Sequence, residues 1–271
     1  MPGQGPPAAA LCAFGIAGTA LQLAGGQGSS WRVGDVVLKP ADRSEPELEW
    51  QAEVLASISC DGFRVPRARR AQDGSLVVAG WCAHEAVEGR DEGRRWADII
   101  AVGQRFHGAL LGVPRPAFIA RRRDPWAIGD RVAWGEIPAA DAPDVKHLPR
   151  LVAALRPLEA PSQLVHGDLG GNVLFDERLP PAIIDFSPYW RPPPFASAVV
   201  VADALVWEGA DEGILDAVEH VEDFDQYLLR ALIYRTVTDR LARPDEPHRP
   251  DEDDRYLPAV ELACRLAEEG R

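Results

Sequence analysis

The 271-residue chain has no apolar run that approaches the length of a membrane helix, which excludes a helical span. It has four cysteines, Cys12, Cys60, Cys82 and Cys264. No two of them are spaced as a metal-binding pair, and a chain of this size needs no disulfide framework. They read as reduced core thiols of a cytoplasmic protein. Positive charge is in deficit: 29 Lys and Arg face 42 Asp and Glu, for a net charge of −13. That argues against nucleic acid or an anionic membrane surface as a partner. The small apolar stretch 7–24 has no Lys or Arg ahead of it and is interrupted by Gly15 and Gly18. A packed N-terminal element is expected there, not a signal peptide. There is no internal repeat and no low-complexity tract.

What is present is a globular composition, 46% apolar, with enough chain for one or two domains. The acids are spread along the whole length, as on a solvated surface, and a cationic substrate fits that charge.

The stretch with most chemical content is 164–186. Leu164 and Val165 lead into His166-Gly167-Asp168. Residues 173–175 read as a strand, 176–181 as a turn and 182–184 as a second strand ending on Asp185. A hairpin of this kind holds Asp168, Asn172 and Asp185 near one end of a rigid support. The set suits one carboxylate that orients a hydroxyl beside an amide and a carboxylate that bind magnesium.

Upstream, three strands are expected at 19–24, 31–33 and 36–39, joined by a glycine loop and a Gly34-Asp35 turn. Loop residues Gly25, Gly26, Gly28 and Ser29 could let backbone amides approach phosphates. No Gly-Lys-Ser/Thr follows, so this is not a P-loop. Lys39 closes the third strand. A helix over 44–58 carries Ser44 as N-cap, acids in its first turn and an apolar face of Leu48, Ala52, Leu55 and Ile58. A strand is expected at 75–79, and residues 80–89 read as a strand followed by a hinge.

The strings HGDLGGNVLF and IIDF resemble the catalytic and metal-binding loops of the aminoglycoside phosphotransferase and choline kinase group. With GGQGSSW and DVVLKP they are similar to an actinobacterial subfamily of it. The resemblance implies an α+β, bilobal, protein-kinase-like fold with a small antiparallel-sheet lobe and a larger, mainly helical lobe. The first lobe would span 1–88, with a hinge at 83–89, and the second 89–271. It implies Asp168 as catalytic base, Asn172 and Asp185 as magnesium ligands and His166 as a brace of the loop. It further implies Lys39 on the nucleotide phosphates and a helix glutamate paired with it, for which Glu49 and Glu53 are both candidates. Adenine would meet backbone groups near Glu85 to Val87.

The implied cofactors are ATP or GTP with Mg2+. The implied reaction transfers the γ-phosphate to a hydroxyl of an aminoglycoside, amino sugar, choline-like compound or related alcohol. One departure stands out. The group places five steps between the aspartate and the asparagine, and Asp168 and Asn172 are four apart. That spacing supports a competing reading, a nucleotide-binding pseudokinase-like module. A hydrolase is disfavoured, because no Ser or Cys stands in an elbow context.

Farther on, helices are expected at 92–111, 144–155, 195–207, 211–221, 224–242 and 252–269, with 113–142 irregular and packed through Trp126 and Trp134. His107 is expected to be structural. Asp203, inside an apolar run, should be paired with backbone or an arginine.

Overall fold

The computed structural model describes residues 5–23, 28–245 and 254–270. Its first elements are α1 (Ala8–Ala13), β1 (Leu21–Gln22), β2 (Trp31–Val33), β3 (Val36–Pro40), α2 (Glu45–Ser57), β4 (Ala68–Arg69) and β5 (Trp81–Glu85). Then come α3 (Trp96–Ala109), α4 (Pro125–Ala133), α5 (Leu148–Ala154), β6 (Gln163–His166), β7 (Val173–Leu174), β8 (Ala182–Ile183) and β9 (Pro188–Arg191). Three long helices close the chain: α6 (Pro193–Trp207), α7 (Phe224–Ala242) and α8 (Leu257–Glu269). The fold is α+β, a small antiparallel sheet followed by a mainly helical part. No helix among the described residues is long and apolar enough to cross a membrane.

The chain divides into two compact units. One comprises Met1–Asp91 and Gly171–Asp185, the other Glu92–Gly170 and Phe186–Arg271. The chain therefore passes between units three times, where a single cut near residue 89 is expected from the sequence. The hairpin of β7 and β8 belongs to the first unit because its backbone is tied there. Arg64 N–H donates to the Pro181 carbonyl at 2.8 Å, Ile183 N–H to the Arg64 carbonyl at 2.8 Å, and Arg90 and Phe175 exchange bonds of 3.0 and 2.9 Å.

The first unit is an antiparallel sheet in the order β1-β2-β3-β5-β4. Strand alternation decides which side each residue serves. Val36 and Leu38 point into a core shared with Val33, Ala83 and Ala71, covered by Ala10 of α1 and by Phe14 just after it. Lys39, one residue on, lies on the opposite face. The N-terminal stretch is thus packed, as expected, but Cys12 is exposed and Cys60 only partly covered. The core-thiol reading holds for Cys82 and Cys264 and fails for these two. The expected strand at 75–79 is also absent. Val78 and Trp81 instead exchange backbone bonds of 2.9 Å across Ala79 and Gly80, both at positive φ. That is the geometry of a two-residue turn suited to strand twist. The strand beside β5 is Ala68–Arg69.

The second unit is helical around the β6–β9 ribbon. α6 and α7 are buried on nearly every side; α6 is an apolar run without a polar face, whereas α7 also buries Gln226, Arg230, Arg235, Thr236 and Thr238. The stretch expected to be irregular contains α4. Asp124 caps it by accepting from Ala127 N–H at 3.0 Å, and Pro125 stands at its first turn. Gly129 lets this helix close on α7: an added Cβ would lie 2.7 Å from the Tyr234 carbonyl oxygen. Trp134 is packed as expected, with Arg191 and Arg230 at 5.2 and 5.1 Å from its ring, whereas Trp126 is exposed. Residues Glu212–Val218 form a 3-10 run in place of the expected α-helix, opened by Gly213 N–H on the Asp211 carboxylate at 3.0 Å.

Candidate active site

In the first unit, the β7–β8 hairpin presents Asn172 and Asp185 at its open end. Ile184 N–H donates to the Asn172 carbonyl at 2.9 Å, one position beyond the last ladder pair. Asp185 follows with φ of 51°, in the left-handed region. A non-glycine residue there costs about 1–3 kcal/mol, a strain that is retained where geometry matters. Its carboxylate forms an ion pair with the Lys39 ammonium, reached from β3. Burial pushes the Lys39 pKa down, opposed by Cys82 and Asp42. A carboxylate and an amide oxygen are hard donors of the kind Mg2+ takes. These two residue types suit the metal in chemistry, and the Asp185 carboxylate already takes a cationic partner in the Lys39 ammonium.

The other sequence candidates of this unit are less tightly gathered. Glu49 is engaged by Arg70 through two bonds of 2.7 Å. Glu53 lines a cavity between α2 and strands β4 and β5. The Glu85 and Ala86 amides donate to the Arg67 and Asp35 carbonyls, both at 2.8 Å, so these two N–H groups serve the lobe itself. Val87 follows directly. The Gly28 carbonyl accepts from Gln22 Nε2 at 2.6 Å, and Ser29 adjoins it. Gly25 and Gly26 lie outside the described residues.

In the second unit, β6 delivers the loop His166-Gly167-Asp168-Leu169-Gly170, and close packing defines its path. His166 is fully buried and stands edge-on to Phe106 and Phe186. Its Nδ1 accepts from Asp168 N–H at 3.1 Å, and its own N–H donates to His107 Nε2 at 3.0 Å. Two histidines thus brace the loop in series, each using an unprotonated ring nitrogen. Burial and the neighbouring His166 push the His107 pKa down to about 3. Tyr189 fills the space beside Gly167, and Leu169 lies where a Cβ on Gly103 of α3 would come within 2.4 Å of its Cδ1. The Asp168 carboxylate, a third exposed, pairs with Arg235 Nη2 at 2.6 Å. Arg235 in turn is gripped by Asp203. Burial pushes Asp203 up to about 6 even against this partner.

Two outcomes follow from this packing. Neutral His107 is required by its hydrogen bond, and its pKa lies below the ordinary value of 6.5. Its contribution to stability is therefore complete above pH 6.5 and is lost as pH falls towards 3, by about 1.4 kcal/mol per pH unit. Thermal melts at pH 7 and 4.5 should show a smaller acid loss for His107→Gln than for the wild type; equal losses would contradict it. Secondly, Gly103→Val should cost about 1–3 kcal/mol by overpacking against Leu169 and lower Tm by several degrees. Gly108→Ala on the same helix, with nothing within 4 Å, should leave Tm nearly unchanged. Equal Tm values for the two variants would rule out this contact.

Sequence reasoning singles out Lys39, Asp168, Asn172, Asp185 and His166, and leaves Arg235, Arg70 and Gly103 unmarked. The pairing of Asp203 with an arginine was legible as an acid in an apolar run. Which arginine was not, because Arg235 sits in a helix whose apolar stripe hides it.

The sequence profile described as the phosphotransferase enzyme family matches residues 19–189. Spectinomycin phosphotransferase, solved with ADP and spectinomycin, has a TM-score of 0.57 at 15% identity over 96% of this chain and 95% of that one. An aminoglycoside phosphotransferase from Alicyclobacillus acidocaldarius subsp. acidocaldarius DSM 446 has a TM-score of 0.56 at 14% identity, covering 99% and 95%. Amicoumacin kinase, solved with AMP-PNP, Ca2+ and Ami, has a TM-score of 0.57 at 13% identity, covering 92% and 88%. At these identities the likeness speaks for the fold. No curated protein sequence matches the chain.

Proposed function

Since the chain belongs to the phosphotransferase enzyme family, we propose that it transfers the γ-phosphate of ATP or GTP, with Mg2+, to a hydroxyl of a small molecule. The observation that carries this reading is the Lys39–Asp185 ion pair beside Asn172 on one hairpin end. A cation partner, a carboxylate and an amide oxygen are the parts a triphosphate and its metal require. Asn172 and Asp185 would hold Mg2+, which supplies charge neutralisation to the phosphate oxygens when bound. Lys39 exchanges Asp185 for phosphate oxygens as the nucleotide enters. Amides of Gly28 and Ser29 approach the same phosphates, and Val87 offers adenine a backbone group. Glu49 remains with Arg70 or is exchanged for Lys39, and Glu53 is the alternative partner.

Asp168 accepts the proton of the acceptor hydroxyl, whose oxygen forms the new bond to phosphorus as the bond to the departing nucleoside diphosphate breaks. Positioning and charge compensation carry such chemistry, with little demand for covalent catalysis. His166 holds the Asp168 amide and so the loop.

For the acceptor we favour an amine-bearing alcohol such as an amino sugar or aminoglycoside. The similar structures include enzymes solved with spectinomycin and amicoumacin, and the net charge of −13 favours a cation. A second reading, a nucleotide-binding module without transfer, draws on the four-step spacing from Asp168 to Asn172. Incubation with magnesium, radiolabelled ATP or GTP and a pooled panel of aminoglycosides, amino sugars and small alcohols separates the two. Label in an acceptor supports transfer. Nucleotide bound with neither acceptor labelled nor phosphate released to water supports the module.

A further inference from the structure

The pairing around Asp168 extends beyond what holding a loop requires. Arg235 comes from the middle of α7 and Asp203 from the middle of α6, two helices packed on each other in the core of the second unit. The guanidinium is bound in a fork by Asp203: Nε donates to Oδ1 at 2.7 Å and Nη2 donates to Oδ2. It also lies over the Tyr234 ring, 4.9 Å from its centroid. A planar fork held on one edge has a fixed direction for its remaining N–H. From Nη2 that direction runs to Asp168 Oδ1, at 2.6 Å. Burial works against the charge of Arg235, and the carboxylates of Asp203 and Asp168 overcome it, raising its pKa well above the ordinary arginine value. The loop is fitted to the same group, since a Cβ on Gly170 would stand 3.3 Å from Asp203 Oδ2.

Charge explains why two acids share one arginine. Arg235 alone would neutralise Asp168. With Asp203 present the trio keeps a net negative charge, so Asp168 can be fixed in direction and still attract a hydroxyl proton. A second reason is rigidity. The loop carrying Asp168 contains two adjacent glycines, Gly170 and Gly171, and backbone freedom at that point needs a restraint from elsewhere.

We propose that Arg235 is a positioning residue for phosphoryl transfer, fixing Oδ1 of Asp168 while Asp203 fixes Arg235. The role rests on the transfer reading above. Removing Arg235 alone would leave Asp203 buried and unpaired, which is strongly destabilising, whereas replacing both partners by apolar residues of similar volume is often tolerated. The test is therefore the double substitution Asp203→Leu with Arg235→Met, alongside Arg235→Lys. Each is measured by magnesium-dependent phosphate release from ATP to water and by ATP affinity from calorimetry.

The expected result is a loss of turnover on the order of 100-fold in the double variant, the scale of a small misplacement of a reacting group, with ATP affinity within about threefold. Arg235→Lys should recover part of the rate. In an Asp168→Asn background the same double substitution should cost less than about threefold, because the two changes act through one carboxylate. A double variant with wild-type turnover, or a full further loss in the Asp168→Asn background, overturns the role while the transfer reading stands. A wild-type protein that releases no phosphate and labels no acceptor overturns the transfer reading and the role with it.

Discussion

Asp168→Asn should lower turnover by about 10²–10⁴-fold, the usual worth of a placed proton acceptor, and leave ATP affinity within about twofold. The substitution keeps the shape of the side chain and its bond from Arg235 Nη2, and it does not touch the Asp168 amide that donates to His166 Nδ1. The loop should therefore stay in place while the group that takes the hydroxyl proton is lost. Steady-state rates with calorimetric affinities test this pairing of effects. Near-normal turnover would remove Asp168 from the chemistry. A parallel collapse of ATP affinity would indicate that the carboxylate serves binding.

The second large effect is expected at Asp185. Its carboxylate meets the Lys39 ammonium in the structure, and under the proposed function it would instead hold the metal when nucleotide is bound. Asparagine tolerates the left-handed φ of 51° at this position, so Asp185→Asn is a fairer test than alanine. Removing the charge takes away the strongest donor to a hard cation. Magnesium should then cease to strengthen nucleotide binding, and turnover should fall by on the order of 100-fold or more. A variant that binds ATP with the same magnesium dependence as the wild type would exclude Asp185 as a ligand.

Much of the local architecture was legible in the sequence, for identifiable reasons. The β7–β8 hairpin announces itself by two short apolar runs around a turn. Lys39 follows from alternation along β3, and α2 and α7 fall close to their expected bounds, although neither Ser44 nor Asp223 caps its helix through its side chain. Elements set by distant partners were not legible. α4 is missed although Asp124 and Pro125 mark its start; the contact of Gly129 with α7 that places it lies about 100 positions away and has no local record. The expected strand at 75–79 gave way to a tight turn through Ala79 and Gly80, where positive φ in a non-glycine residue has no clear sequence signal. The attachment of residues 171–185 to the first unit rests on backbone bonds at Arg64 and Arg90 and on the Arg64 side chain, which donates to the Pro180 carbonyl at 2.8 Å; an arginine so placed looks in sequence like any solvated one.

The same distinction runs through the candidate site. Residues that would touch phosphate or metal are marked by type and order, in 164–186 and at Lys39 at the end of its strand. Residues that hold them come from far along the chain. His107 and Arg235 are separated from the groups they support by 59 and 67 positions, and either could pass in sequence for an ordinary core histidine or a solvated arginine.

The measurement that tests the central claim most directly is a calorimetric titration of ATP and GTP into the wild-type protein with and without magnesium. At least one nucleotide is expected to bind with magnesium and to lose most of that affinity without it. An absence of magnesium-dependent binding for both nucleotides would contradict the assignment of Lys39, Asn172 and Asp185 to a phosphate and metal site.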